Sequence, residues 1–184
     1  MLDSTSLLAI QTGSAQPIWK TYANETSTIA VSGTSGVGTY YPGQSPDNLF
    51  DGKFTTKYMS RGNSSSGLNG FAGLNTGFHV TIAQCQATLT KFRFATASGG
   101  SSAARDPIEV TVEGTNCDNL FNCTSWETLY TGTTGLDNVT NRSSYGDYQN
   151  ISTPKAFSSY RFLITEKRNT SDSVAYSEVE LYGY

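Results

Sequence analysis

Few side chains in this 184-residue sequence are equipped for chemistry: 15 Asp and Glu, 12 Lys and Arg, three Cys and one His. The histidine, His79, stands in the strand-like run Phe78-His79-Val80. A Ser-His-Asp set needs a histidine set between nucleophile and acid, and no Gly-X-Ser-X-Gly elbow accompanies this one, so a structural role is expected. No Gly-rich phosphate loop leads into a helix. Glycoside cleavage would use paired carboxylates. The carboxylates that stand out lie in the turn Asp51-Gly52-Lys53-Phe54-Thr55-Thr56 and in the terminal Glu178-Val179-Glu180. That turn offers a carboxylate, a hydroxyl and the carbonyls freed by a Gly turn, the oxygen-rich set taken by a hard cation such as calcium. The pattern suits ion binding, and no enzyme is expected.

Cys117 and Cys123 bracket Cys-Asp-Asn-Leu-Phe-Asn-Cys, a spacing that closes a small loop and favours a local disulfide. A metal pair is disfavoured because no third and fourth ligand stand nearby. Cys85 is left over, either as a buried thiol or as a link to another chain or segment. Seven of the twelve asparagines begin Asn-X-Ser/Thr: Asn24, Asn63, Asn122, Asn138, Asn141, Asn150 and Asn169. With 48 Ser and Thr in the chain, chance gives about three. The excess points to glycosylated surface turns and an extracellular or cell-surface location.

The elements that would position these residues are strands. Charged residues are only 15% of the chain, while Gly, Tyr, Ser and Thr are abundant and aromatics reach 12%. That composition opposes a helical bundle and supplies too much packing material for disorder. Strands are expected near residues 29–32, 77–82, 88–97, 108–113, 128–131, 147–151, 160–165 and 175–182. In the fourth, Ile108, Val110 and Val112 alternate with Glu109, Thr111 and Glu113, predicting one buried and one wet face. Pro46-Asp47-Asn48-Leu49-Phe50 predicts a single helical turn. Residues 34–43, 59–74 and 133–146 read as long loops, and residues 1–27 as an N-terminal extension preceding a domain over 28–184. Residues 1–10 lack a basic, apolar leader pattern, so a secretion signal would lie outside this sequence. A net charge of −3 with scattered Lys and Arg excludes a nucleic-acid footprint. No stretch approaches the ~20 apolar residues of a membrane span.

Three motifs occur in order. The first is Asn48-Leu49-Phe50-Asp51-Gly52-Lys53-Phe54-Thr55-Thr56-Lys57-Tyr58. The second is Arg105-Asp106-Pro107-Ile108-Glu109-Val110-Thr111-Val112-Glu113-Gly114, and the third Tyr176-Ser177-Glu178-Val179-Glu180-Leu181-Tyr182-Gly183. Together they resemble the coagulation-factor type C, or discoidin-like, domains and the galactose-binding-like carbohydrate-binding modules, over residues 29–184. The resemblance implies an all-β jelly-roll sandwich. Three features depart from the family pattern: Tyr58 where Trp is usual, the length of 59–74, and the cysteine loop after the second motif.

By the same resemblance, a structural calcium would be held by Asp51, Thr56, the Asn48 and Ser177 carbonyls, and Glu178. Sugar contacts would come from Arg105, in the loop before the Glu-Gly strand, and from Arg61. Arg105 has an alternative as an ion-pair partner of Asp106 or a lock on a neighbouring turn. Phe71 and Tyr145, on two of the long loops, are candidates to stack on a sugar ring, while Tyr58 is expected in the core. The function expected is a calcium-stabilised, lectin-like glycan-binding module of a larger extracellular glycoprotein. The alternative is a structural or adhesive assembly domain of the same fold that self-associates or joins neighbouring chains. A phospholipid-binding discoidin role is weaker, since residues 67–74 are the single thin candidate for an apolar tip.

Overall fold

The computed structural model describes residues 5–64 and 69–184. Residues 1–4 of the expected extension lie outside it. So do residues 65–68 of the second long loop, with Ser65 of the Asn63 sequon and residues 67–68 of the candidate lipid tip. In chain order the strands are β1 (Ser6–Leu7), β2 (Gln16–Trp19), β3 (Thr28–Ile29), β4 (Val31–Ser32), β5 (Thr39–Tyr40), β6 (Tyr58–Ser60), β7 (Thr76–Thr81), β8 (Ala87–Thr96), β9 (Pro107–Thr115), β10 (Glu127–Thr133), β11 (Gln149–Asn150), β12 (Ala156–Phe157), β13 (Ser159–Lys167) and β14 (Val174–Gly183). They form two packed sheets, a jelly-roll β-sandwich as expected. One sheet runs β11-β8-β14-β6-β5-β4, with β1 on β14 and β12 on β8, and the other runs β10-β9-β13-β7-β2-β3. Pairing is antiparallel except between β4 and β5.

Strand alternation builds the core. Phe92 and Phe94 of β8 and Val179 and Leu181 of β14 meet Phe78 and Val80 of β7, Val110 and Val112 of β9, and Tyr160, Phe162 and Ile164 of β13. Phe162 stacks on Phe78 at 5.2 Å and receives the edge of Phe92 at 5.5 Å. Burying each such ring contributes about 1.5–3 kcal/mol. Tyr58 is fully buried and donates from its hydroxyl to the Gly77 carbonyl at 3.1 Å, satisfying its polar end.

Three features differ from the sequence expectations. Residues 5–27 are woven into the sandwich: β1 pairs with β14 and β2 with β7, and Ile18 is fully buried. Trp19 lies across Gly38, where a Cβ would come within 2.4 Å of the indole. The run is too short and polar to show a strand period, and its pairings with β14 and β7 span more than 50 residues. The second difference is the expected wet face of β9, where Glu113 is fully buried. Residues 22–27 and the Cys117–Cys123 loop cover that part of the sheet. A second 3-10 turn, Gly100–Arg105, forms just before β9, in a segment expected to be loop.

Candidate functional site

Four loops meet at the end of the sandwich where β5, β6 and the turn into β14 converge. Tyr41 follows β5, Arg61 follows β6, Arg105 ends the second 3-10 turn, and Asp172 lies in the turn before β14. Arg105 Nε donates to Asp172 Oδ1 at 2.8 Å, and the Tyr41 hydroxyl donates to Asp172 Oδ2 at 3.1 Å. The Arg61 guanidinium stacks 3.8 Å above the Tyr41 ring. Arg61 is only 7% exposed, yet its Nη1 has no hydrogen-bond partner among the described residues. A buried donor left open costs about 1–3 kcal/mol, or more when charged, unless a ligand or water takes it.

Electrostatics mark the same spot. Burial pushes the Asp172 carboxyl up, but hydrogen bonds from Arg105, Ser173 and Tyr41 outweigh it and hold the group below its usual value. Burial raises the Tyr41 phenol, with Asp172 adding to the shift. Lys57 is lowered by burial and by the nearby Arg105 and Arg142 charges. Lys167 is lowered to about 8, first by burial. Its Nζ donates to the carbonyls of Asn69, Ala72 and Ser171 at 3.0, 2.6 and 3.1 Å, which fastens the 69–73 segment to the turn carrying Asp172. Phe71 projects from that segment, 76% exposed.

Three of the four expected ligand residues, Arg61, Arg105 and Phe71, therefore come to one end of the molecule. Arg105 does not pair with Asp106. That carboxylate is fully buried and is taken by Arg142 and Arg168, so Arg105 turns to Asp172. Tyr145 lies elsewhere, edge-on to Phe54 at 5.1 Å beneath the Arg93 guanidinium at 3.9 Å, on the outer face of β8 and β14. Tyr41 and Asp172 were missed. Asp172 was visible only as one acid between two serines ahead of the last strand.

The Asp51 turn docks on β14. Gly52 takes φ +73°, a conformation that favours glycine, so that the chain reverses after the 3-10 turn Pro46–Phe50. The Thr56 hydroxyl bonds the Asp51 carboxylate at 2.9 Å, and the Lys53 amide donates to both Asp51 (2.9 Å) and Glu178 (2.7 Å). Glu178 is buried and raised to about 7: burial dominates, the Lys53 amide opposes it, and the facing Asp51 carboxylate adds to it. Two carboxylates and a hydroxyl thus converge, an all-oxygen set short of positive charge that fits a hard cation. No group of three or more His, Cys, Asp or Glu gathers among the described residues, so further donors would have to be carbonyls or water. The side chains of Asn48 and Ser177 are spent on backbone carbonyls, Asn48 on Gly43 and Lys57 and Ser177 on Thr96, which leaves only their own carbonyls to serve.

Cys117 and Cys123 are disulfide-bonded, Cα atoms 6.0 Å apart, and Cys85 is an exposed thiol. His79 is buried between Phe121 and Trp126 under the covering loops. All seven sequon asparagines are exposed.

No protein-family model matches the chain, and no curated protein sequence does. Solved structures do. The family 32 carbohydrate-binding module of Clostridium perfringens NanJ, in complex with galactose, superposes with a TM-score of 0.57 at 11% identity, over 96% of this chain and 99% of that one. A second C. perfringens family 32 module, in complex with GalNAc-β-1,3-galactose, gives 0.57 at 10% identity over the same shares. The family 32 module of AlyQ, in complex with 4,5-unsaturated mannuronic acid, gives 0.51 at 12% identity, over 80% of this chain and 92% of that one. The architecture of this chain is that of the family 32 carbohydrate-binding modules, the galactose-binding-like, discoidin-like jelly roll.

Proposed function

We propose that this protein is a non-catalytic, extracellular glycan-binding module whose sugar site is the Tyr41–Arg61–Arg105–Asp172 cluster. The observation that carries the reading is Arg61, buried and stacked on Tyr41 within the loop cluster, with an Nη1 that has no hydrogen-bond partner among the described residues. A sugar presents adjacent hydroxyls that donate and accept at once, together with an apolar C–H face. Asp172 accepts, Arg61 and Arg105 donate in planar forks, and Phe71 supplies an exposed ring. Neighbours of the same fold carry galactose, GalNAc-β-1,3-galactose or an unsaturated mannuronic acid, which supports a glycan as partner. Asp172 is held ionised by its cationic partner and so is poorly suited to donate a proton as a glycosidase acid. Calcium at Asp51, Thr56 and Glu178, completed by the Asn48 and Ser177 carbonyls, would pin the first turn to the last strand. The exposed sequons and the disulfide support a secreted glycoprotein setting.

Titration of the chain with galactose, GalNAc and uronic-acid oligosaccharides by calorimetry tests the assignment. At least one is expected to bind, with affinity falling tenfold or more in Arg105→Ala and Asp172→Asn. Unchanged binding in both variants refutes the site; binding to no glycan refutes the function.

A second reading, a self-associating assembly domain, is favoured by one observation. β3 and β4 close the same edge of both sheets, and Ile29, Val31 and Val37 are exposed there. Concentration-dependent dimerisation in sedimentation, abolished by Val31→Lys, would select it.

A further inference from the structure

The outer face of the eight-stranded sheet carries a built aromatic surface with no part in the Tyr41–Asp172 cluster. Where Phe92, Val179 and Leu181 point into the core, their neighbours Lys91, Arg93, Glu180 and Tyr182 point out. Register sets Arg93 opposite Glu180 and Lys91 opposite Tyr182. Arg93 Nε and the Tyr182 hydroxyl both donate to Glu180 Oε2, at 2.6 and 2.7 Å. Tyr148 packs on this frame, 5.5 Å from the Tyr182 ring and edge-on, with the Lys91 ammonium 4.5 Å and the Arg93 guanidinium 4.6 Å from its centroid. The ring is thus held in place, yet Tyr148 stays 41% exposed.

β11 sets Asn150 directly opposite Lys91, so Asn150 shares the outer face with the side chain that Tyr148 covers. Tyr148 and Asn150 are two residues apart in nearly extended chain, which spaces them by about 6–7 Å on one face. Asn150-Ile151-Ser152 is a sequon with an exposed asparagine. One other sequon has a tyrosine two residues earlier, Tyr22 before Asn24, but Asn24 sits in a turn at φ +62°. There the spacing does not align the two side chains.

We propose that Asn150 carries an N-linked glycan whose first N-acetylglucosamine lies on the exposed part of the Tyr148 ring. The pyranose C–H face meets the negative face of the ring, and the covalent tether removes the association entropy that a free sugar would lose. The inference rests on the glycoprotein reading above.

The test uses the full chain secreted from cultured mammalian cells as four proteins: unaltered, Asn150→Gln, Tyr148→Leu and the double variant. Peptide mass spectrometry is expected to find Asn150 occupied. Asn150→Gln should lower the melting temperature by about 2–4 °C when Tyr148 is present. In the Tyr148→Leu background, and in the same proteins made without glycans in bacteria, it should change the midpoint by less than about 1 °C. If Tyr148→Leu does not fold, the unaltered protein still gives a readout: an upfield ring-current shift of protons on the first N-acetylglucosamine. An empty Asn150 beside other occupied sequons overturns this inference and leaves the glycoprotein reading standing. Seven empty sequons overturn both. An occupied Asn150 with equal melting cost in both backgrounds, or with unshifted sugar protons, overturns the stacking.

Discussion

The chain has few charges and places several of them out of water. The Arg161 guanidinium and Glu113 carboxylate are both fully buried, bonded at 2.6 Å, with Arg161 also donating to Ser27 and to the Glu25 carbonyl and lying 4.2 Å from the Trp126 ring. Removing one partner leaves the other charged without a counter-ion, so Glu113→Gln should lower unfolding stability by about 3–5 kcal/mol, read by denaturant titration. A loss under 1 kcal/mol would mean that the pair is solvated. Asp51 and Glu178 stood out in the sequence because so few acids compete with them, and the structure does bring them together. Asp172 and Tyr41 did not stand out, since neither spacing nor composition distinguishes an acid gathered into a loop cluster from any other turn acid. Tyr145 was picked for its loop position, but its ring turned toward Phe54 and Arg93, a choice made by packing partners distant in sequence.

At the scale of elements, the outer face of the six-stranded sheet is covered by residues 22–27 and the disulfide loop, hydrogen-bonded to each other from the Ser27 amide to the Phe121 carbonyl at 3.1 Å. His79 lies beneath them with neither ring nitrogen hydrogen-bonded among the described residues, and burial, with the Arg161 charge, lowers it to about 3. An unfolded histidine titrates near 6.5. Between these values the unfolded chain takes up a proton that the folded chain refuses. This group's contribution to stability is therefore complete above about pH 6.5 and is lost as pH falls toward 3, at up to about 1.4 kcal/mol per pH unit. Melting midpoints from pH 7.5 to 4 should fall, and His79→Phe should flatten the decline. An identical slope in that variant would reject the assignment. Most of the long strands were visible in the sequence because alternation is a local property. β1 and the cover were not, since a two-residue strand carries too few residues to show a period.

For the whole molecule, two clusters of different chemistry flank the start of the last strand. The Asp51 turn is tied to that strand through the Lys53 amide and Glu178, while Arg61, Arg105 and Asp172 make up the proposed sugar site. If calcium occupies the Asp51 turn, chelation by EDTA should lower the melting temperature by about 5 °C or more and added calcium should restore it. The shift follows the free-calcium concentration because a ligand that binds only the folded state stabilises it by mass action. No shift, with no calcium found by elemental analysis, would reject the site. The class of fold, the disulfide pairing and the oxygen-rich turn are legible from composition, short separations and strand alternation alone. Which arginines cluster, which acid they meet and which face of the six-stranded sheet is covered emerge only once the chain is folded. Those contacts join residues up to 139 positions apart, as from Arg161 to the Tyr22 carbonyl, and depend on sheet order and register that no local pattern encodes.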